Sequence, residues 1–252
     1  MSNIALIALD LDNTMLTNDK KISKATKFWI TRAREAGLVV IFTTGRGIQT
    51  TQHLWEELEL DDAPMVLVNG AEIWKKPGEL MERHVLPTEG VRELVKFAEA
   101  NGARFWGYSV ESLTHSRDWS EEMYERNWLK FGIRHDDLEI IDSLRAEVRS
   151  WGRYEVTQSH PVNMEISCLG ISKAYGLKKV CEYLNIELSQ VMAIGDSHND
   201  YQMLQVVGLG VAMDNASEEI KSIADVQTDS NEEDGVAKAI QRYVFQERLG
   251  VS

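Results

Sequence analysis

The segment Asp10-Leu11-Asp12-Asn13-Thr14 sets two carboxylates two residues apart, directly behind the apolar run Ile4 to Leu9. Side chains two apart on an extended segment point the same way. Asp10 and Asp12 are therefore expected to project together from a strand end while Leu11 turns away. Carboxylates held side by side repel, and one pKa rises unless a cation or a proton intervenes. No fold needs that arrangement for stability. The plainer alternative is a pair of solvated loop carboxylates.

A second acidic cluster lies in Gly195-Asp196-Ser197-His198-Asn199-Asp200. Asp196 and Asp200, four apart across a strand-to-helix turn, suit coordination of a hard cation. N-capping of the next helix by Asp196 or Ser197 is the competing explanation, and His198 reads as a solvated loop histidine. Lys173, in Ile171-Ser172-Lys173, sits near a helix start. A cation there opposes the helix dipole unless an anion is close by; taken alone, it would be an exposed surface lysine.

The elements that must position these residues follow from apolar patterning. Ile4 to Leu9 lacks polar alternation, as a central strand of a parallel sheet covered on both faces does. Ser23 caps a helix running to about Gly37. Leu38 to Phe42 is a second strand, ending in Thr43-Thr44-Gly45-Arg46-Gly47, and the helix bearing Ile48, Leu54, Trp55 and Leu58 comes next. Met65 to Val68 is a third strand, ending in Asn69-Gly70. This alternation predicts an α/β fold with a Rossmann-like parallel sheet and right-handed crossovers. Lys76-Pro77-Gly78 marks a hairpin between Glu72–Trp74 and Leu80–Val85.

The rhythm changes from about Pro87 to Pro161, where helical patterns mix with strands such as Arg104 to Val110 and Arg153 to Gln158. We read residues 83–166 as an inserted α+β domain, with Trp106, Trp119, Trp128 and Trp151 supplying its core rather than a ligand cage. Residues 1–82 and 167–252 then form one discontinuous core domain. In that second part, Lys173 to Tyr183 and Asp234 to Glu247 read as helices, and Val191 to Gly195 and Leu209 to Met213 as strands. Every polar cluster lies at the carboxyl end of a predicted strand, where open α/β sheets bind ligands.

Composition narrows the class. The net charge of -13, from 40 acidic and 27 basic residues, argues against non-specific nucleic-acid binding. The two cysteines, Cys168 and Cys181, form no CxxC pair, which excludes a disulfide framework and a thiolate zinc site. No apolar run approaches the roughly 20 residues of a membrane span, and no basic segment followed by a long apolar run opens the sequence. A cytoplasmic protein, monomeric or weakly dimeric, is expected.

The chain resembles the haloacid dehalogenase superfamily of phosphatases, in its Cof-type branch with a large C2-type cap. The matching pieces are DLDNT (Asp10 to Thr14), TTGR (Thr43 to Arg46), VNGA (Val68 to Ala71), ISK (Ile171 to Lys173) and GDSHND (Gly195 to Asp200). Val211 to Ala216 and Ser230 to Ala237 also resemble that branch. Ala174 and Asp214 depart from it, standing where glycine is common.

The resemblance implies a Mg2+-dependent phosphomonoester hydrolase acting on small phosphorylated metabolites such as sugar phosphates, pyridoxal phosphate or flavin-related phosphates. It implies Asp10 as the nucleophile forming an aspartyl-phosphate. Asp12 becomes the acid for the leaving alkoxide and then the base for water. Asp10, Asp196 and the backbone carbonyl of Asp12 would hold Mg2+, with Asp200 supporting them. Thr44, the amides of Leu11 and Gly45, Lys173 and Asn199 would grip the phosphate oxygens. Arg46 and Asn69, at strand ends near the hinge, are candidates for substrate contact or closure. Two other readings share parts of this chemistry. A phosphohexomutase would rebind a bisphosphate instead of admitting water. A receiver-type signalling domain would hold a phospho-aspartate, but would be about half this length and lack the insertion.

Overall fold

A computed structural model describes residues 4–246. In chain order the elements are β1 (Leu6–Leu9), α1 (Lys24–Glu35), β2 (Val39–Thr43), α2 (Ile48–Glu57), β3 (Met65–Leu67), β4 (Glu72–Lys76) and β5 (Glu79–Arg83). Then come α3 (Thr88–Ala100), β6 (Arg104–Ser109), β7 (Leu113–His115), β8 (Trp128–Arg134), α4 (Leu138–Ser150), β9 (Tyr154–Thr157) and β10 (Asn163–Cys168). The chain closes with α5 (Lys173–Leu184), β11 (Val191–Gly195), α6 (Tyr201–Val206), β12 (Leu209–Ala212), α7 (Glu218–Ile223), β13 (Val226–Gln227) and α8 (Gly235–Ala239). Helical structure continues as one wider turn over Ile240–Val244. Glu247, the last residue of the helix expected there, lies outside the described residues.

The larger sheet has the order β13-β12-β11-β1-β2-β3-β4-β5. It is parallel from β13 through β3 and ends in the antiparallel β4–β5 hairpin. A turn as short as Lys76-Pro77-Gly78 can join only antiparallel neighbours. Alternation along β1 sends Ile7 and Leu9 into one core layer and Leu6 and Ala8 into the other. Both layers are fully buried, which explains why the strand is uniformly apolar. Ser23 caps α1 as expected, its hydroxyl accepting from the Thr26 amide. The strand order reverses at β1, so the carboxyl ends of β1, β2 and β11 flank the switch point, the place where open α/β sheets bind ligands.

The second sheet is antiparallel, in the order β7-β6-β8-β10-β9. Phe105, Phe131, Ile133, Met164 and Ile166 pack one of its faces against α3 and α4. Trp128 is fully buried there, with the Trp119 ring stacked on it and Trp151 packed at the edge of the same core. Trp106 is not in that core; its ring lies against Gly132 on the opposite face. No described helix is long and apolar enough to cross a membrane.

Candidate active site

The stretch after β1 does not stay extended. The Leu11 carbonyl accepts from the Thr14 and Leu16 amides, closing a turn that buries the Leu11 side chain. The turn parts the two carboxylates. Asp10 is buried and accepts a 2.6 Å bond from Lys173 Nζ. Asp12 stays 41% exposed and is clasped by Arg46, whose Nε and one terminal nitrogen each donate at 2.7 Å, and by Lys20 at 2.8 Å. The acidic crowding expected between Asp10 and Asp12 instead falls mainly on Asp10, Asp196 and Asp200.

Lys173 is fully buried, and is no surface lysine. Its Nζ bridges Asp10 and Asp200, each at 2.6 Å, so the anions that excuse a cation at a helix start are present. Burial alone would lower its pKa, but the two carboxylates hold it above the ordinary value. Asp200 accepts from Lys173 with one oxygen and from the Asp196 and Ser197 amides with the other. Asp200 is therefore the acceptor that organises this loop. The Asp196 carboxylate takes only the Thr14 hydroxyl among the described bonds, at 3.0 Å.

One ligand oxygen from each of Asp10, Asp196 and Asp200 lies within 4.8 Å of the others. Three carboxylates share one lysine, leaving excess negative charge in a buried place. Burial, reinforced by the neighbouring carboxylates, raises Asp10 to about 6 and Asp196 to about 8. That excess, carried on oxygen ligands, fits a hard divalent cation. Asp12 goes the other way. Burial would raise it, but the bonds from Arg46 and Lys20 prevail and hold it at about 2.

Thr44 is buried at the end of β2, its hydroxyl accepting from the Arg46 amide at 3.2 Å. Val68, Asn69 and Gly70 all have positive φ, of 51°, 55° and 94°. Backbone strain of this kind gathers at functional sites. Gly70 is needed twice over, because a Cβ there would also stand 2.2 Å from the Ser172 carbonyl that begins α5. The strained turn aims Asn69 between the two sheets. Its Nδ2 donates to Glu165 at 2.7 Å, and its Oδ1 accepts from Asn199 at 3.4 Å.

Asp10, Asp12, Thr44, Gly45, Arg46 and Asn199 line one cavity of about 250 Å3, beneath Lys130 and Glu165 of the smaller sheet. Asn69 and Lys173 line a smaller neighbouring cleft together with Asn199. Lys130 and Glu165 were not singled out from sequence. Lys130 Nζ donates to the Gly45 carbonyl at 3.0 Å and pairs with Glu165 at 3.0 Å, both side chains being buried. A signal for them did exist, since each interrupts an otherwise apolar strand, Trp128–Ile133 and Met164–Ile166. His198 packs beside Tyr201 and lies 3.6 Å from Glu219. The segments near Asn215 and Asn231 brace the loop that follows Asp10, donating to the Asn13 and Leu16 carbonyls.

A lysine-bridged acidic cluster thus lies at the switch point of a parallel sheet, under an antiparallel sheet inserted between β5 and α5. The chain belongs to the haloacid dehalogenase-like hydrolases, whose family model matches residues 7–138 and 111–240. It is 38% identical over 243 residues to the 5-amino-6-(5-phospho-D-ribitylamino)uracil phosphatase YcsE of Bacillus subtilis, covering 96% of this chain and 97% of that protein. YitU of the same organism, a phosphatase of the same name, is 30% identical over 264 residues, 94% of this chain and 97% of its own length. A haloacid dehalogenase-like hydrolase of Bacteroides thetaiotaomicron superposes with a TM-score of 0.79 at 29% identity, covering 95% of this chain and 99% of that one.

Proposed function

We propose that the chain is a Mg2+-dependent phosphatase of small phosphorylated metabolites, with Asp10 as nucleophile. The observation that carries this reading is the Lys173 bridge. It fixes one Asp10 oxygen at 2.6 Å within a cluster of three carboxylates at the strand ends. Asp10, Asp196 and the Asp12 carbonyl would hold the ion, with Asp200 keeping Lys173 and the loop amides in register. Bound there, Mg2+ supplies charge neutralisation between the carboxylates and a phosphate dianion. Asp10 attacks phosphorus, the ester oxygen leaves, and water later cleaves the acyl phosphate. Thr44, Lys173, Asn199 and the Leu11 and Gly45 amides bind the remaining phosphate oxygens.

Asp12 is the acid–base group. Its clasp by Arg46 and Lys20 keeps it ionised, as the base that activates water must be. Acting first as the acid requires Arg46 to release it and let it take a proton. Arg46→Gln therefore raises the Asp12 pKa and moves the alkaline limb of kcat/KM to higher pH. A pH–rate profile of that variant checks this; an unmoved limb removes Asp12 from the acid role.

The relatives' substrates set the order of assay. The ribitylaminouracil phosphate is the first ester to assay, followed by sugar and pyridoxal phosphates. The test is release of inorganic phosphate with Mg2+, its loss with EDTA and its return on adding Mg2+.

The raised carboxylates give this reading a measurable pH signature. Asp10 and Asp196 titrate near 6 and 8 instead of 3.8, so the folded chain binds more protons than the unfolded one across that interval. Without a cation, the contribution of these two groups to stability is fullest at low pH and declines as pH climbs through those two values. A cation competes with the same protons. At a hundredfold excess over Kd, Mg2+ is expected to raise Tm by roughly 5–10 °C near pH 8.5. The gain is clearly smaller near pH 5.5, as thermal melts would record.

A further inference from the structure

The antiparallel sheet presents one face to the parallel one. Tyr108, Lys130 and Glu165 all lie on it, reaching Gln49, Gly45 and Asn69 respectively. Register carries that face outward in rows. Tyr108 pairs with Lys130; Trp106 pairs with Gly132, which faces Glu165; Arg104 pairs with Arg134, which faces Asn163. Successive rows stand about 7 Å apart. Lys130 of the innermost row and Glu165 of the next line the phosphatase cavity, whereas Trp106 and the outermost row open into a second cavity of about 540 Å3.

That cavity is lined by Trp106, Arg104, Arg134, His115, His160 and Asn163 among others, with no carboxylate in its wall. In a chain of net charge -13 this is a local reversal of sign. Gly132 is the device that shapes it. A Cβ at residue 132 would stand 2.1 Å from the Trp106 ring, so only glycine lets the indole lie down on the strand. The indole stays half-buried and borders the opening. Arg104 and Arg134 share Asp136, at 2.6 and 3.3 Å, which spends one or two of the five donors on each guanidinium.

We propose that Trp106, laid over Gly132, is the stacking platform for a planar heterocycle in the leaving group, with Arg104 and Arg134 as donors to its ring carbonyls. This rests on the phosphatase reading and deepens it. The favoured substrates are phosphomonoesters whose phosphate is separated from a planar, carbonyl-bearing ring by a flexible chain spanning one or two rows of the sheet. Trp106 acts on specificity, because it touches the ring and not the reacting phosphorus. Stacking of a ring on an aromatic side chain corresponds to roughly tenfold in affinity.

The test compares two esters that share a chain and a phosphate, 5-amino-6-(5-phospho-D-ribitylamino)uracil and D-ribitol 5-phosphate. The expected wild-type preference in kcat/KM for the ring-bearing ester is about tenfold or more. Trp106→Leu lowers that ratio about tenfold and Trp106→Phe keeps most of it, with circular dichroism confirming the fold of each. An unchanged ratio in Trp106→Leu, or no wild-type preference, overturns the proposal. Phosphate release from ribitol 5-phosphate would then still support the phosphatase reading. A ring-free bisphosphate preferred to the ring-bearing ester also overturns it, in favour of an anion site. If neither ester is hydrolysed, assays with the sugar and pyridoxal phosphates decide whether the phosphatase reading fails. Calorimetry with phosphate-free 5-amino-6-ribitylaminouracil then decides: binding weakened about tenfold by Trp106→Leu supports the platform, and equal or absent binding overturns it.

Discussion

Asp10→Asn is expected to lower phosphate release by roughly 10^4-fold or more, because an amide cannot form the acyl phosphate. The substitution is otherwise gentle. Asparagine keeps an oxygen to accept from Lys173 and removes one of the three crowded carboxylate charges. The metal-free variant therefore melts at the same temperature as the parent or above it. Phosphate assay and thermal melt together separate lost chemistry from lost structure. Turnover near the parental rate would remove Asp10 as nucleophile, and a lower melting temperature would contradict the charge accounting of the site.

Lys173→Met has the opposite balance. Asp10 and Asp200 both lose their buried cation, and Asp200 has no solvent to turn to. Removing one partner from a buried ionic cluster costs about 3–5 kcal/mol. In a domain of this size that lowers Tm by roughly 10 °C. Phosphate also loses a charged donor, so kcat/KM falls by roughly 10^2 to 10^3-fold in whatever protein remains folded. The decline in Tm should be largest at high pH, where Asp10 and Asp196 are ionised, and should lessen on acidification as they take up protons. Melts across pH, paired with assays below the transition, test both parts. A variant as stable as the parent would mean that Lys173 is not the counter-ion of this cluster.

The two substitutions also distinguish roles that geometry brings together. Asp10 and Lys173 touch each other, yet under the proposed function one carries the covalent chemistry and the other the electrostatic frame. Loss of the first leaves a folded, inert protein. Loss of the second weakens fold and turnover together.

Much of this molecule was legible in the chain. The uniform apolar runs before Asp10, Thr44 and Asp196 announced buried parallel strands, because only a strand covered on both faces dispenses with alternation. Polar residues bunched at the strand ends announced the crevice. The motif residues were found by type and spacing, which are local properties. What stayed hidden was partnership across distance. That Asp12 belongs to Arg46 and Lys20 while Asp10 belongs to Lys173 depends on a turn at Leu11 and on a contact between positions 163 apart in the chain. Lys130 and Glu165 gained their meaning only when the inserted sheet laid one face over Gly45 and Asn69. Trp106 looked like core, and register with Gly132 turned it outward. The carboxylates of Asp10 and Asp12 are thus written in the sequence, whereas their separation, their neighbours and their charge states are not. Burial and the nearest counter-ion decide that, and both are set only when distant segments pack together.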